Sequence, residues 1–330
     1  MDGNPSLRAG AAPLLLALLA HPERAPSLDA GQWDLLIRVA RSTRLLAELG
    51  VRVERVGVLD QIPTRVRAHV DSERVVVRHI QKHAEIELRR LSRLLEQLDV
   101  SAILLKGAAY IAQRLPIAEG RSMGDVDVMV PRPQIDRVEV ALKEEGWVMA
   151  SMDAYDERYY REWTHEIPPL RFPGHPMELD VHHTILQQTA RLKPIVPELF
   201  AESELLPRGT FRVLCAEDQL LHASVHLFQD SDCANRLRDL VDIDGLLRHF
   251  ASKDSFWDGL IRRAKLHGLG RPLFYAAYFC ERLLGTPVPP VIWYNLESVA
   301  PNVGVRWLMS VLVPRALLPS HPDREPPVSA

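Results

Sequence analysis

Two short acidic stretches hold the residues best able to do chemistry in this sequence. Asp125-Val-Asp-Val-Met-Val130 alternates polar and apolar residues, the pattern of a strand with one buried face. Successive strand side chains point to opposite faces, so Asp125 and Asp127 project together while Val126, Val128 and Val130 turn to the core. A second stretch, Glu178-Leu-Asp-Val-His182, puts Glu178, Asp180 and His182 in one phase. Carboxylates held side by side repel unless a cation neutralises them, and hard divalent ions favour carboxylate oxygen. If the two strands are neighbours, three or four acids converge on one spot. Such a spot can hold a pair of Mg²⁺ (or Mn²⁺) ions, which activate an attacking oxygen and steady a leaving phosphate. His182 is in phase with Asp180 and His183 is not, so His182 either orients a substrate or carboxylate, or packs.

A D-x-D alone is a weak signal, and the sequence supplies its own controls. Asp242-x-Asp244 lies in the helical text LVDIDGLL, where two residues diverge by about 200°. It also lacks the remaining oxygen ligands of a calcium loop. Asp230-x-Asp232 reads as an interhelical loop. Only the 125/127 pair has strand flanks, an upstream strand followed by Lys106-Gly107, and an acidic strand downstream.

The elements that must position these residues form a helix–sheet–helix order. Residues 14–98 are helical in pattern: Trp33, Leu36, Ile37, Ala40, Leu45 and Leu49 recur at helical spacing, Gly50 reads as a stop, and Pro63 marks a break before a long helix over 72–98. Ala102-Ile-Leu-Leu105 is a short buried-strand run followed by a helix over 108–115, a loop over 116–124 and then the acidic strand. A helix over 134–145 closed by Gly146 leads to a hairpin punctuated by Pro173-Gly174. Before that hairpin Tyr155, Tyr159, Tyr160 and Trp163 cluster, with burial against the core as the expected fate. Helices resume near 216–228, 236–250, 256–267 and 272–284, and a Pro-rich tail ends the chain. The expected fold class is α+β. An N-terminal helical region (1–98) and a C-terminal helical domain (191–318) flank a small sheet core (99–190), with a disordered tail over 319–330.

Composition narrows the function. The 330 residues are 47% apolar and 25% charged, which excludes wholesale disorder and collagen-like repeats. A net charge of −3 disfavours, without excluding, a nucleic-acid partner. Residues 36–94 nonetheless carry 13 Lys/Arg against 7 Asp/Glu, either a solvated helical face or a positive wall beside an anionic substrate. Three cysteines without a C-x-x-C pair argue against clustered zinc thiolates and suit a reducing compartment. The apolar Ala11–Ala20 run is too short to span a bilayer and precedes no small-x-small site, so a buried first helix in a cytoplasmic protein with no membrane partner is expected. Neither a P-loop nor a G-x-G-x-x-G follows any strand.

Three motifs together resemble a known family. Leu-Leu-Lys-Gly (104–107), Arg-Ser-Met-Gly-Asp-Val-Asp-Val-Met-Val (121–130) and Glu-Leu-Asp-Val-His-His (178–183) resemble the uncharacterised nucleotidyltransferase family of the DNA polymerase β-like superfamily. The likeness extends more loosely to His222-x-x-x-His226 and Leu237-x-Asp239, and His165 falls where the family often has a histidine. On the residues alone, His222 and His226 read as helix packing and Asp239 as a helical salt-bridge partner outside the site. The resemblance implies that Asp125 and Asp127 bind metal and that Asp180 completes a catalytic triad, with Glu178 as the alternative third carboxylate. It implies that Lys106-Gly107, standing where the superfamily has Gly-Ser, meets the triphosphate at a helix N-terminus, with Arg121 and Ser122 as further phosphate ligands. The implied reaction transfers an NMP from an NTP, ATP being the first expectation, to an acceptor such as a small molecule, peptide or protein. The missing Gly-Ser leaves a second possibility, an inactive nucleotidyltransferase fold kept as an interaction or antitoxin-like regulatory module.

Overall fold

The computed structural model describes residues 10–149, 153–207, 209–229, 233–253 and 255–318. The Asp230/Asp232 pair, the 319–330 tail and the first nine residues lie outside them.

Four helices open the chain: α1 (Ala11–Ala20), α2 (Ala30–Ser42), α3 (Leu46–Arg55) and α4 (Thr64–Gln97). The apolar run of α1 is spent on the core, with Ala11, Leu14, Leu15, Leu18 and Leu19 buried. Asp29 caps α2 by accepting from Gln32 N at 2.8 Å while the Gln32 side chain accepts from Asp29 N at 2.9 Å, a reciprocal capping box. The break after α2 falls at Arg44, not at Gly50. Arg44 N–H donates to Arg41 O and Leu45 N–H to Ala40 O, the double bond of a Schellman turn, and Arg44 takes the left-handed position (φ +57°) that usually holds glycine. Gly50 lies inside α3 because α4 passes close: a Cβ there would meet Val70 Cγ1 at 2.2 Å. Helix α4 starts at Thr64, directly after Pro63, rather than at Ser72.

The central part contains β1 (Ala102–Leu104), α5 (Lys106–Ala112), β2 (Asp125–Met129), α6 (Ile135–Glu144), β3 (Val148–Met149), α7 (Ala154–Trp163), β4 (Leu170–Arg171), β5 (Glu178–His182), α8 (Val196–Ala201), β6 (Glu204–Leu205) and β7 (Phe211–Val213). They form one mixed sheet in the order β3-β4-β5-β2-β1-β7-β6, so the fold is α+β. Strand β2 runs antiparallel to β1 and parallel to β5. The sheet passes beyond residue 190, since β7 pairs in parallel with β1. Strands β3, β6 and β7, at two or three residues each, are too short for an alternation to show in the sequence. Helices α9 (Ala216–Phe228), α10 (Leu237–Phe250), α11 (Phe256–His267), α12 (Gly270–Leu284), α13 (Pro290–Leu296) and α14 (Val303–Leu317) follow. Buried side chains from Ala11 to Leu317 join in one hydrophobic cluster, so both helical regions pack on the sheet rather than apart from it.

Buried ion pairs clamp the two helical regions together. Arg52 on α3 donates to Glu48 Oε1, Leu19 O and Asp244 Oδ2, each at 2.8 Å. Asp244 on α10 is fully buried and also accepts from Thr286 Oγ1 and Arg248 Nε at 2.6 Å. Deleting one partner of a buried pair strands the other's charge. Arg52→Met is therefore expected to lower unfolding free energy by roughly 3–5 kcal/mol in urea denaturation.

Candidate metal centre

The parallel register of β2 and β5 sets Asp125 beside Glu178, Asp127 beside Asp180 and Met129 beside His182. One carboxylate oxygen from each of Asp125, Asp127 and Asp180 lies within 4.8 Å of the others. Glu178 is not part of this group: its carboxylate turns to Arg171 on the neighbouring β4. The third carboxylate of the cluster is thus Asp180.

Strand β1 delivers a lysine to the same spot. Leu105 N–H donates to Asp127 O at 3.0 Å, continuing the β1–β2 pairing, and the next residue, Lys106, opens α5 with φ at +44°. A non-glycine residue held there carries backbone strain on the order of 1–3 kcal/mol. Its ammonium donates to Asp127 Oδ1 at 2.8 Å, whereas the sequence motif points it at phosphate. His182 Nε2 lies 3.0 Å from the same oxygen. Burial by itself raises the Asp127 pKa, but Lys106 and His182 outweigh it and hold the acid well below the usual carboxylate range. For Asp180 burial comes first, reinforced by the charges of Asp127 and Glu166, and its pKa is pushed up to about 8.

Glu166 escapes the sequence analysis. The segment 165–167 runs along the end of β5, with Ile167 N–H donating to Val181 O and His183 N–H to His165 O, both at about 3 Å. That pairing sets Glu166 against His182, whose Nε2 is 3.4 Å from Glu166 Oε2. His165 stacks on the His182 ring with centroids 5.0 Å apart. The only local signal for Glu166 was its position next to His165.

The remaining candidates line up behind this cluster. A Cβ on Gly107 would meet Arg121 Nη1 at 2.2 Å, so the glycine makes room for that guanidinium. Arg121 is buried, donates to Asp242 Oδ2 at 2.8 Å and covers the Tyr110 ring. Ser122 contributes a carbonyl, which accepts from Arg238 Nη1 at 3.2 Å. A cavity of about 170 Å³ opens over Asp125 and Asp127, lined also by Lys106, Arg121, His226 and Asp239. Asp239 does pair with Arg236, at 2.7 Å, but the fold also brings it to the cavity, which helical spacing could not reveal. His222 is packed and buried, its pKa held well below normal by burial and then by the Lys106 charge. The α7 aromatics depart from expectation: Tyr155, Tyr159 and Trp163 are 67%, 39% and 42% exposed. Their helix is rich in acids and arginines and lays only part of its circumference on the protein.

The donor set fits a divalent ion. All three ligands are carboxylate oxygens, and the buried Oδ1 of Asp180 has no hydrogen-bond partner. Fold and cluster together define an α+β protein with a carboxylate centre suited to a hard cation. The family model described as uncharacterised nucleotidyltransferase matches residues 29–285, and the chain belongs to that family. Among solved structures, JHP933 from Helicobacter pylori is similar at 14% identity and a TM-score of 0.33, covering 72% of this chain and 93% of its own. A second H. pylori protein, provisionally described as a nucleotidyltransferase, is similar at 13% identity and a TM-score of 0.34, over 72% and 96% of the respective chains. No curated protein matches the chain. Among the described residues no helix is long and apolar enough to cross a membrane.

Asp180→Asn removes a half-buried acid from between like charges. It should raise the melting temperature of the metal-free protein and abolish the further rise that Mg²⁺ or Mn²⁺ produces in the wild type, both read by thermal shift. Gly107→Ala should lower stability by about 1–3 kcal/mol, because the buried Arg121 has to leave its place.

Proposed function

We propose that the protein transfers a nucleoside monophosphate from an NTP to an acceptor hydroxyl, with release of pyrophosphate. The observation that supports it best is the β2–β5 register, which lets Asp125, Asp127 and Asp180 act on one reacting phosphate. In this reading the acceptor oxygen bonds to the α-phosphorus, the bond from that phosphorus to the bridging oxygen breaks, and the acceptor proton passes to Asp180. Asp125, Asp127 and Asp180 would hold a divalent ion, which would neutralise phosphate charge and make the acceptor hydroxyl more acidic. Lys106 keeps Asp127 ionised and oriented through its 2.8 Å bond, and His182 does the same from the other side. No covalent enzyme intermediate is needed, because positioning and charge stabilisation account for most of the acceleration.

One observation favours the second reading, a nucleotidyltransferase fold kept for interaction. Lys106 already neutralises Asp127, as a cation would. A single experiment separates the two. The protein is incubated with Mg²⁺ and each α-³²P-labelled NTP, with and without host lysate. Label moving to a product, and falling at least about 100-fold in Asp125→Asn and in Asp127→Asn, is expected when several kcal/mol of charge stabilisation are lost. Absence of transfer with every NTP, with or without lysate, would leave the interaction reading standing.

A further inference from the structure

The two basic residues that the motifs offer to phosphate are occupied. Lys106 is bonded to Asp127, and Arg121 is buried against Asp242. Yet the cavity over the carboxylates continues in another direction. It shares Arg236, Arg238 and Asp239 with a neighbouring cavity of about 180 Å³, whose far wall is the α2–α3 turn carrying Arg44. Around the two cavities four guanidiniums (Arg44, Arg121, Arg236, Arg238) and Lys106 face four carboxylates, Asp125, Asp127, Asp239 and Asp242. The far cavity by itself sets three guanidiniums, Arg44, Arg236 and Arg238, against one carboxylate, Asp239, an excess of positive charge.

We propose that Arg44 and Arg238 form the subsite for the phosphoanhydride tail, the β- and γ-phosphates, of the nucleotide, with Arg236 beside them held by Asp239. The proposal rests on the nucleotidyl-transfer reading and moves the tail away from Lys106-Gly107. The α-phosphate lies at the carboxylates and the terminal phosphates run along α10 towards the α2–α3 turn. Guanidinium groups suit this task, since their planar fork bonds two phosphate oxygens at once. Arg238 is the central member. Its Nη1 meets a neutral carbonyl, that of Ser122, and its Nε is 3.9 Å from Asp239 Oδ1. Burial, and then the charge of Arg121, lower its pKa, as expected of a cation with too little negative charge nearby.

Arg44 makes the idea testable without damage to the fold. It occupies a left-handed helix-terminating position that glycine or asparagine fills with less strain, and its side chain is exposed. Arg44→Asn removes the charge and should leave the melting temperature equal or higher. Arg238→Lys keeps a charge but loses the fork.

The test is calorimetric titration with pyrophosphate, tripolyphosphate, NTP and NMP. Pyrophosphate and tripolyphosphate are expected to bind the wild type, and about tenfold or more weakly to each variant. NMP, which lacks the tail, should bind wild type and Arg44→Asn alike. Unchanged pyrophosphate affinity in both variants would overturn the subsite, and so would equal weakening of NMP and NTP. If label transfer also fails in the wild type while arginine-dependent pyrophosphate binding persists, the transfer reading falls and the phosphoanhydride site stands.

Discussion

Like-charge repulsion at the β2–β5 seam is the constraint around which the molecule is arranged. Asp125, Asp127 and Asp180 are forced together by a parallel register, and Glu166 joins them from the neighbouring segment. Water screens such repulsion poorly once the acids are buried. The folded chain answers with Lys106 and His182, both bonded to the deepest acid, Asp127. Asp180 has no such partner at Oδ1, and burial pushes its pKa up to about 8. The centre is left with one neutralised acid at its base and acids with spare capacity above it. That asymmetry gives a cation a place to go and a reacting phosphate a direction to face.

The helices on either side serve this centre by holding its approach loop. The turn at residues 116–120 is pressed between α3 and α10 at two glycines. A Cβ on Gly120 would meet the backbone of Glu48 at 2.4 Å, and one on Gly245 would meet Ile117 Cδ1 at 2.7 Å. Arg121 follows at once and is tied to Asp242 on α10. Two residues further along α10, Asp244 is tied to Arg52 on α3. The segment that leads into β2 is thereby set by both helical regions together, and the acids at its end inherit that position. The cavities that lead from the carboxylates to Arg44 lie between the start of α10 and the α2–α3 turn.

Much of the centre was legible because strand periodicity is local. Alternation around Asp125 and Asp127 and around Asp180 assigns a face without any knowledge of the partner strand. The C-terminal helices were equally readable, with α9 and α11 falling where their apolar spacing put them. The failures share a different cause. Gly50 looked like a helix stop because glycine has weak helix propensity, but the close passage of Val70 requires it inside α3. Strands β6 and β7 were too short to carry a period and exist because β1 had an open edge. The α7 aromatics were assigned to the core on residue type alone, while Tyr155, Tyr159 and Trp163 stay exposed on their helix.

The sequence by itself determined which acids share a face, where the long helices lie and which family the motifs resemble, since each of these depends on residues a few positions apart. The tertiary structure decided which of those groups meet. It chose Asp180 over Glu178, because β4 supplied Arg171 to Glu178 and nothing to Asp180 Oδ1. It set the Lys106 ammonium against Asp127, because antiparallel β1 ends beside that acid. It brought Glu166 and Asp239 into a centre that no local pattern connects to them. Charge interactions act through space, and only the folded chain sets those distances.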